Sequence, residues 1–259
     1  MPLLIAEFPG PLTVERARAR DVLPPASRCG PLLELIVAMG RPAVASLGRR
    51  SSSSNPEFRF WATHALGELP YAESATAVLP RLFDEDPSIR KVARRSARAL
   101  VAADVGAAIV QGVGHVARNI DEPTRRRVYA IESMGEIRAG VVVSALISAL
   151  GDPTEDVSEA ARRALFVITR QDFEVDAQAW AEWWRESAGR HRIEWLIDAL
   201  VHDSPVVRRA AADELMEETG EYYGYAEDLT PDERSRVQGY YREWWETEGR
   251  ARFSAGDES

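Results

Sequence analysis

Apolar residues recur three and four positions apart along most of this chain, the spacing that places them on one face of a helix. Val143, Leu146, Ile147 and Leu150 make one such stripe. The pattern predicts a helix over 32–39, opened by Pro31, and then five antiparallel helical pairs. The first members of the pairs cover 42–49, 72–83, 105–118, 141–150 and 192–201; the second members cover 57–69, 88–102, 124–137, 155–169 and 206–218. The second members share a signature: a basic residue, an alanine three positions on and an apolar or small residue seven on. It reads Arg59/Ala62/Leu66, Arg90/Ala93/Ala97, Arg127/Ala130/Met134, Ser158/Ala161/Leu165 and Arg208/Ala211/Leu215, at intervals of 31, 37, 31 and 50 residues. One such pair cannot bury its apolar face alone, so this spacing predicts stacking of neighbours into a helical-repeat array.

The turns inside the pairs repeat a second chemistry: Asn55-Pro56, Asp86-Pro87, Glu122-Pro123, Asp152-Pro153 and Ser204-Pro205. An Asx or Ser side chain there can accept from free N–H groups of the second helix, and proline suits its first position. The signature alanines are expected where helices cross, since a small side chain lets two backbones approach. The basic position is expected to reach an Asp or a carbonyl in an adjacent turn and tie one pair to the next.

The stretch 40–100, GRPAVASLGRRSSSSNPEFRFWATHALGELPYAESATAVLPRLFDEDPSIRKVARRSARAL, resembles HEAT repeats of the short bacterial, phycobilisome-lyase-like kind, as does VHDSPVVRRAAADEL at 201–215. The resemblance covers about Pro31 to Gly220 and implies an all-α, right-handed α-solenoid of about five two-helix HEAT-like repeats. It does not choose among the many uses of that fold.

Two departures flank this frame. Residues 1–30 form a Pro-rich lead, with Pro9, Pro11, Pro24 and Pro25 as breakers and a short helix expected over 14–22. After the fourth pair, Thr169, Phe173 and Ala179-Trp180-Ala-Glu182-Trp183-Trp184 match Thr219, Tyr223 and Tyr240-Tyr241-Arg-Glu243-Trp244-Trp245 after the fifth. The expected organisation is a lead at 1–30, a solenoid at 31–220 with a Trp-rich insert at 171–190, an aromatic C-terminal cap at 221–253 and a disordered tail at 254–259. Aromatics of this size act as binding hot spots when exposed, but here packing is the expected role.

Composition narrows the function. The hydrophobic fraction is 45% and the charged fraction 28%, as in an ordinary chain with a real core. No run approaches a membrane span, and Glu7 interrupts the only short apolar start, so a cytoplasmic protein without a membrane partner is expected. The net charge of −9 is uneven: from Gln171 onward there are 22 acidic and 10 basic residues, net −12, which leaves +3 in the first 170. That acidic section repels nucleic acid. The single cysteine, Cys29, excludes an internal disulfide, and the four histidines are scattered, without a metal-binding or triad arrangement. No cofactor and no catalytic activity are expected.

The remaining candidate is a basic stripe. If the signature faces the core, the positions one, four, five and eight after each basic residue face a concave side. Lys91, Arg94, Arg95 and Arg98 fill them in the second pair, and Arg162 and Arg163 fall there in the fourth. Guanidinium forks suit carboxylates and phosphates, so the expected partner is another protein with an acidic or phosphorylated surface. The plainer alternative is a solvated helix face paired with acids such as Glu85 and Asp86. The functional expectation is a non-catalytic scaffold or adaptor. The alternatives are an accessory lyase-type subunit for a protein-bound chromophore or cofactor, which the resemblance permits, and a HEAT-like DNA-binding or repair protein.

Overall fold

The computed structural model describes residues 7–14, 16 and 23–254. The helix expected over 14–22 falls almost wholly outside these residues, as does the tail from 255 onward. Among the described residues all regular structure is helical. In chain order the helices are α1 (Pro31–Ala38), α2 (Arg41–Ser51), α3 (Pro56–Leu66), α4 (Ala72–Val78), α5 (Pro87–Ala102), α6 (Ala107–Arg118), α7 (Thr124–Ile137), α8 (Val143–Leu150), α9 (Glu155–Thr169), α10 (Ala177–Ser187), α11 (Arg192–Ala199), α12 (Pro205–Thr219), α13 (Pro231–Trp244) and α14 (Arg250–Ser254). The helix expected over 72–83 is interrupted: α4 ends at Val78 and a 3-10 turn, Leu79–Phe83, continues it. Pro80 has no N–H to continue the α-helical ladder.

The chain divides into two compact units, Met1–Ala164 and Leu165–Ser259. In the first, α3, α5 and α7 pack in sequence as one row, and α2, α4, α6 and α8 form the other. The signature explains this stacking. All five of its alanines, Ala62, Ala93, Ala130, Ala161 and Ala211, are fully buried, as are Leu66, Ala97, Met134, Leu165 and Leu215. On α5 the buried positions Ile89, Val92, Ala93, Ser96, Ala97 and Leu100 trace one helical stripe. Just beyond α3, a Cβ added to Gly67 would lie 2.9 Å from the Ser96 backbone, so only glycine permits this approach to α5.

The signature arginines close turns, and two of them reach the next pair. Arg59, Arg90 and Arg208 each bond two carbonyls five and six residues earlier: Ser54 and Ser53 at 3.0 and 3.2 Å, Glu85 and Asp84 at 3.0 and 2.7 Å, and Asp203 and His202 at 2.7 Å each. Arg59 also grips Asp84 of the next pair with both ends of its fork, at 2.9 and 3.0 Å. Arg127, also buried, holds both carboxylate oxygens of Asp152 of its next pair with Nη1 and Nη2. Two turn residues cap as expected, Asn55 and Asp86, each bonding the N–H two residues on, and Asp152 accepts from the N–H of Thr154 just before α9. Ser204 does not: it makes no side-chain cap, and His202 Nδ1 accepts from its N–H instead, at 3.0 Å. At the third turn Pro123 itself occupies the cap position, which leaves no side-chain acceptor.

In the second unit α11 pairs with α12 and α13 packs on α11. Ile193, Leu196, Ile197, Leu200, Val207, Ala211, Leu215, Tyr241, Trp244 and Trp245 share one buried cluster. The two aromatic segments are built alike. Thr169 and Thr219 each donate to the carbonyl four residues back and accept from the N–H two residues on. Arg170 and Gly220 then take left-handed backbone, and Glu174 and Gly224 do so four residues later. Phe173 meets Trp180 edge-to-face at 5.0 Å, as Tyr223 meets Tyr241 at 4.7 Å. Trp180 is fully buried and Trp183 and Trp184 are half-buried, with both of the latter packed on Trp195.

Candidate functional site

The predicted site residues lie on α5 and α9. On α5, Lys91, Arg94, Arg95 and Arg98 share roughly 100° of arc, opposite the buried stripe. Lys91 is exposed and the three arginines are half-buried. Arg94 reaches along the second-helix row to Glu132 on α7 in a charge-paired hydrogen bond. On α9, Arg162 lies 3.9 Å from Glu159, while Arg163 is exposed and borders a groove of about 590 Å³ with Thr124, Arg125, Val128, Glu155 and Asp156. The structure thus gathers the four α5 cations. It does not join them to Arg162 and Arg163 in one unbroken stripe, because Glu132, Glu155, Asp156 and Glu159 are interleaved.

Glu85 and Asp86, the acids the plainer alternative names, have partners on other elements. Glu85 lies 3.6 Å from Arg59, and Asp86 is held by Arg16 of the lead. Burial pushes the Asp86 carboxyl up, but the bonds from Arg16 and Ser88 outweigh it and bring the pKa down to about 2. Arg125 and Arg126 serve local aromatic contacts, their guanidiniums 5.9 and 4.8 Å from the Tyr129 and Phe83 ring centres.

One wall beside the α5 arc was not legible in the sequence. The lead covers the corresponding face of α3: Glu68 accepts from the N–H groups of Ala26 and Ser27 and from the Ser27 hydroxyl at 2.7 Å, and His64 Nε2 donates to the Pro24 carbonyl at 2.8 Å. Arg16 lies 5.1 Å from the Phe60 ring centre. His64 and Phe60 stand where Arg95 and Lys91 stand on α5, so the exposed second-helix face of this unit begins at α5.

His64 carries a pH consequence. Burial lowers its pKa below 6.5 and Arg95 lowers it further, outweighing the Pro24 carbonyl and Glu68, which act to raise it. Folding therefore keeps the ring neutral. The stability this contributes is complete above about pH 6.5, where the unfolded histidine is also neutral, and declines as pH falls toward the lowered folded value. Thermal melts of the wild type should drop between pH 7.5 and 5.5 more steeply than those of His64→Gln, which keeps a donor near Nε2 but does not titrate. Parallel curves for the two proteins would refute this.

The other histidines have structural partners or none bearing on chemistry: His191 caps α11 and stacks on Trp245 at 5.0 Å, and His202 braces its turn. Among the described residues no three His, Cys, Asp or Glu side chains group to hold a metal, and no helix is long and apolar enough to cross a membrane.

No family model and no curated protein matches the sequence. Among solved structures the chain is similar to the complex of CpcE and CpcF of phycocyanin lyase from Nostoc sp. PCC7120, with 16% identity over 93% of this chain and 94% of that one and a TM-score of 0.38. It is also similar to a computationally designed armadillo repeat protein for modular peptide recognition, with 17% identity, 74% and 88% coverage and a TM-score of 0.35. An engineered protein gives 18% identity, 86% and 98% coverage and a TM-score of 0.38. The all-α repeat architecture described above rests on this chain's own helix pairing and buried signature, not on these likenesses.

Proposed function

We propose that this chain is a non-catalytic scaffold of HEAT-repeat type that binds an acidic or phosphorylated segment of another protein on the α5 face expected to be concave, the one that carries Lys91, Arg94, Arg95 and Arg98. The observation that carries this reading is a division of labour among the basic residues. Arg59, Arg127 and Arg208 are buried and spend their donors on turns. Lys91, Arg94, Arg95 and Arg98 stand together on the side of α5 that faces away from its core, where Arg94 also pairs with Glu132. A cationic arc on one rigid helix attracts anionic segments and favours carboxylate or phosphate forks over other chemistry. The supporting geometry includes the wall formed by the lead at one side and the groove beside Arg163 at the other.

The test is the triple reversal Arg94→Glu, Arg95→Glu and Arg98→Glu, with pull-down from the native host and a circular-dichroism melt as the folding control. A folded variant that loses its partner by roughly tenfold or more supports the reading. An unchanged partner set on a folded variant moves the binding surface elsewhere. A salt-dependent shift of duplex DNA, or visible absorbance of the natively purified protein, would favour the DNA-binding or the lyase-type alternative instead.

A further inference from the structure

The duplicated aromatic segment of the second unit provides an internal control. Its packing positions are equivalent in both copies: Phe173 with Trp180, and Tyr223 with Tyr241. Two positions are not equivalent. Tyr222 stands where the first copy has Asp172, and Tyr240 where it has Ala179. Both tyrosines are exposed, at 62% and 50%. The first copy forms the same edge-to-face pair without them. At the turn each copy makes its own bond, Asp172 accepting from the Glu174 N–H at 3.0 Å and the Tyr222 hydroxyl donating to the Tyr225 carbonyl at 3.0 Å, so neither position requires an aromatic ring.

Tyr223, next to Tyr222 in the chain, sits in an acidic surround. Tyr240 lies 6.4 Å from Tyr223, between centroids. Glu221, Glu248 and Glu243 all act on the Tyr223 hydroxyl, whose pKa is raised first by burial and then by these carboxylates. Arg252 approaches Glu221 to 3.4 Å, so a guanidinium is already accommodated at the rim. Aromatic faces carry negative potential, and nearby carboxylates add to it, so the surface suits a cation. Arginine fits better than lysine because its planar head stacks on a ring while its donors reach carboxylates. This chain uses that contact itself: the Arg90 guanidinium lies 4.1 Å from the Tyr129 ring centre.

We propose that the second unit carries a separate docking surface, formed by Tyr222, Tyr223 and Tyr240 with their acidic rim, for an arginine-bearing segment of another protein. It is independent of the cationic arc on α5 and takes ligands of the opposite charge.

The experiment is calorimetric titration of the full chain with a short synthetic peptide of alternating arginine and serine. A peptide in which citrulline replaces arginine keeps the shape and removes the charge. The arginine peptide should bind and the citrulline peptide should not. Tyr222→Ala with Tyr240→Ala should weaken binding about two- to fivefold per ring. Tyr222→Phe with Tyr240→Phe should retain it, and any fall in melting temperature from the lost Tyr222–Tyr225 bond should be shared by the phenylalanine and alanine variants, so that it does not account for a difference in binding between them. Equal affinity in the alanine variant would reduce the effect to net charge and overturn the proposal, as would equal binding of the citrulline peptide or no binding at all. Self-association of the wild type that the alanine variant abolishes would make a second copy the occupant, and would overturn it too.

Discussion

Replacing Glu214 by alanine should destabilise the second unit by about 3–5 kcal/mol, because it strands charges that have left water. Glu214 is buried and accepts from Arg170 at 3.0 and 2.7 Å and from Arg192 at 2.6 Å. Arg192 would keep Glu218 at 2.7 Å and the Ile168 carbonyl at 2.9 Å. Arg170 would lose the carboxylate that both ends of its fork grip, while remaining against the Phe166 ring. Steric loss is not the cause, since the same position of the other second helices is small: Ala65, Ser96, Ser133 and Ala164. A thermal melt of Glu214→Ala should therefore fall by roughly 15 °C for a unit of this size. Glu214→Gln, which keeps an acceptor but not the charge, should fall between the two. A melt of Glu214→Ala within a degree or two of wild type would show that the pairings contribute nothing net.

The second large effect is expected at Asp84. Its carboxylate is buried, takes both ends of the Arg59 fork, accepts from Arg81 at 2.9 Å and accepts from the Asp86 N–H at 3.1 Å. The hydrogen bond to Asp84 is the chief reason the Arg59 pKa is raised, ahead of the opposing effect of burial. Asp84→Ala should cost about 3–5 kcal/mol in the first unit. The double variant Arg59→Met with Asp84→Leu should recover much of that loss, since apolar groups of similar volume need no partner. Urea melts of the single and double variants decide the matter. A double variant as unstable as the single one would mean that the carbonyls of Ser53 and Ser54, left without their donor, matter more than the ion pair.

The two predictions show where the repeat reads clearly in one dimension. Alanine at the fourth position and a basic residue at the first recur because every pair solves the same local problem. The alanine must let neighbouring backbones approach, and the arginine must close a turn whose carbonyls would otherwise be unsatisfied. Such requirements leave a period, so the helical pairs, the crossing alanines and the ties of Arg59 and Arg127 to the Asp of the next turn were readable, whereas Arg90 and Arg208 close their own turns and the fourth pair has Ser158 in that place. The matched Thr169 and Thr219 segments were readable for the same reason, down to equivalent turns.

The candidate site was less legible. The four α5 cations fall on one arc by helical spacing alone, but Glu132 between α5 and α9 could not be placed opposite Arg94 from sequence. Nor could the docking of the lead on α3, because Pro24–Ser27 and Glu68 have no shared period and are about forty residues apart. Ser204 has the right type and position for a cap, but cap formation depends on side-chain geometry: its side chain makes no cap bond, and His202 accepts only the N–H of Ser204 itself. The Trp and Tyr segments showed that they were aromatic and repeated, without showing which rings would be covered.

What the order of residues determined by itself is the all-helical repeat, since helix faces and turn chemistry depend on neighbours three to seven positions away. Tertiary structure alone decided which charges are buried with partners, which face the lead covers and which tyrosines stay in water. Those outcomes depend on groups that sequence separation keeps far apart and folding brings within a few ångströms, where burial changes what each charge costs.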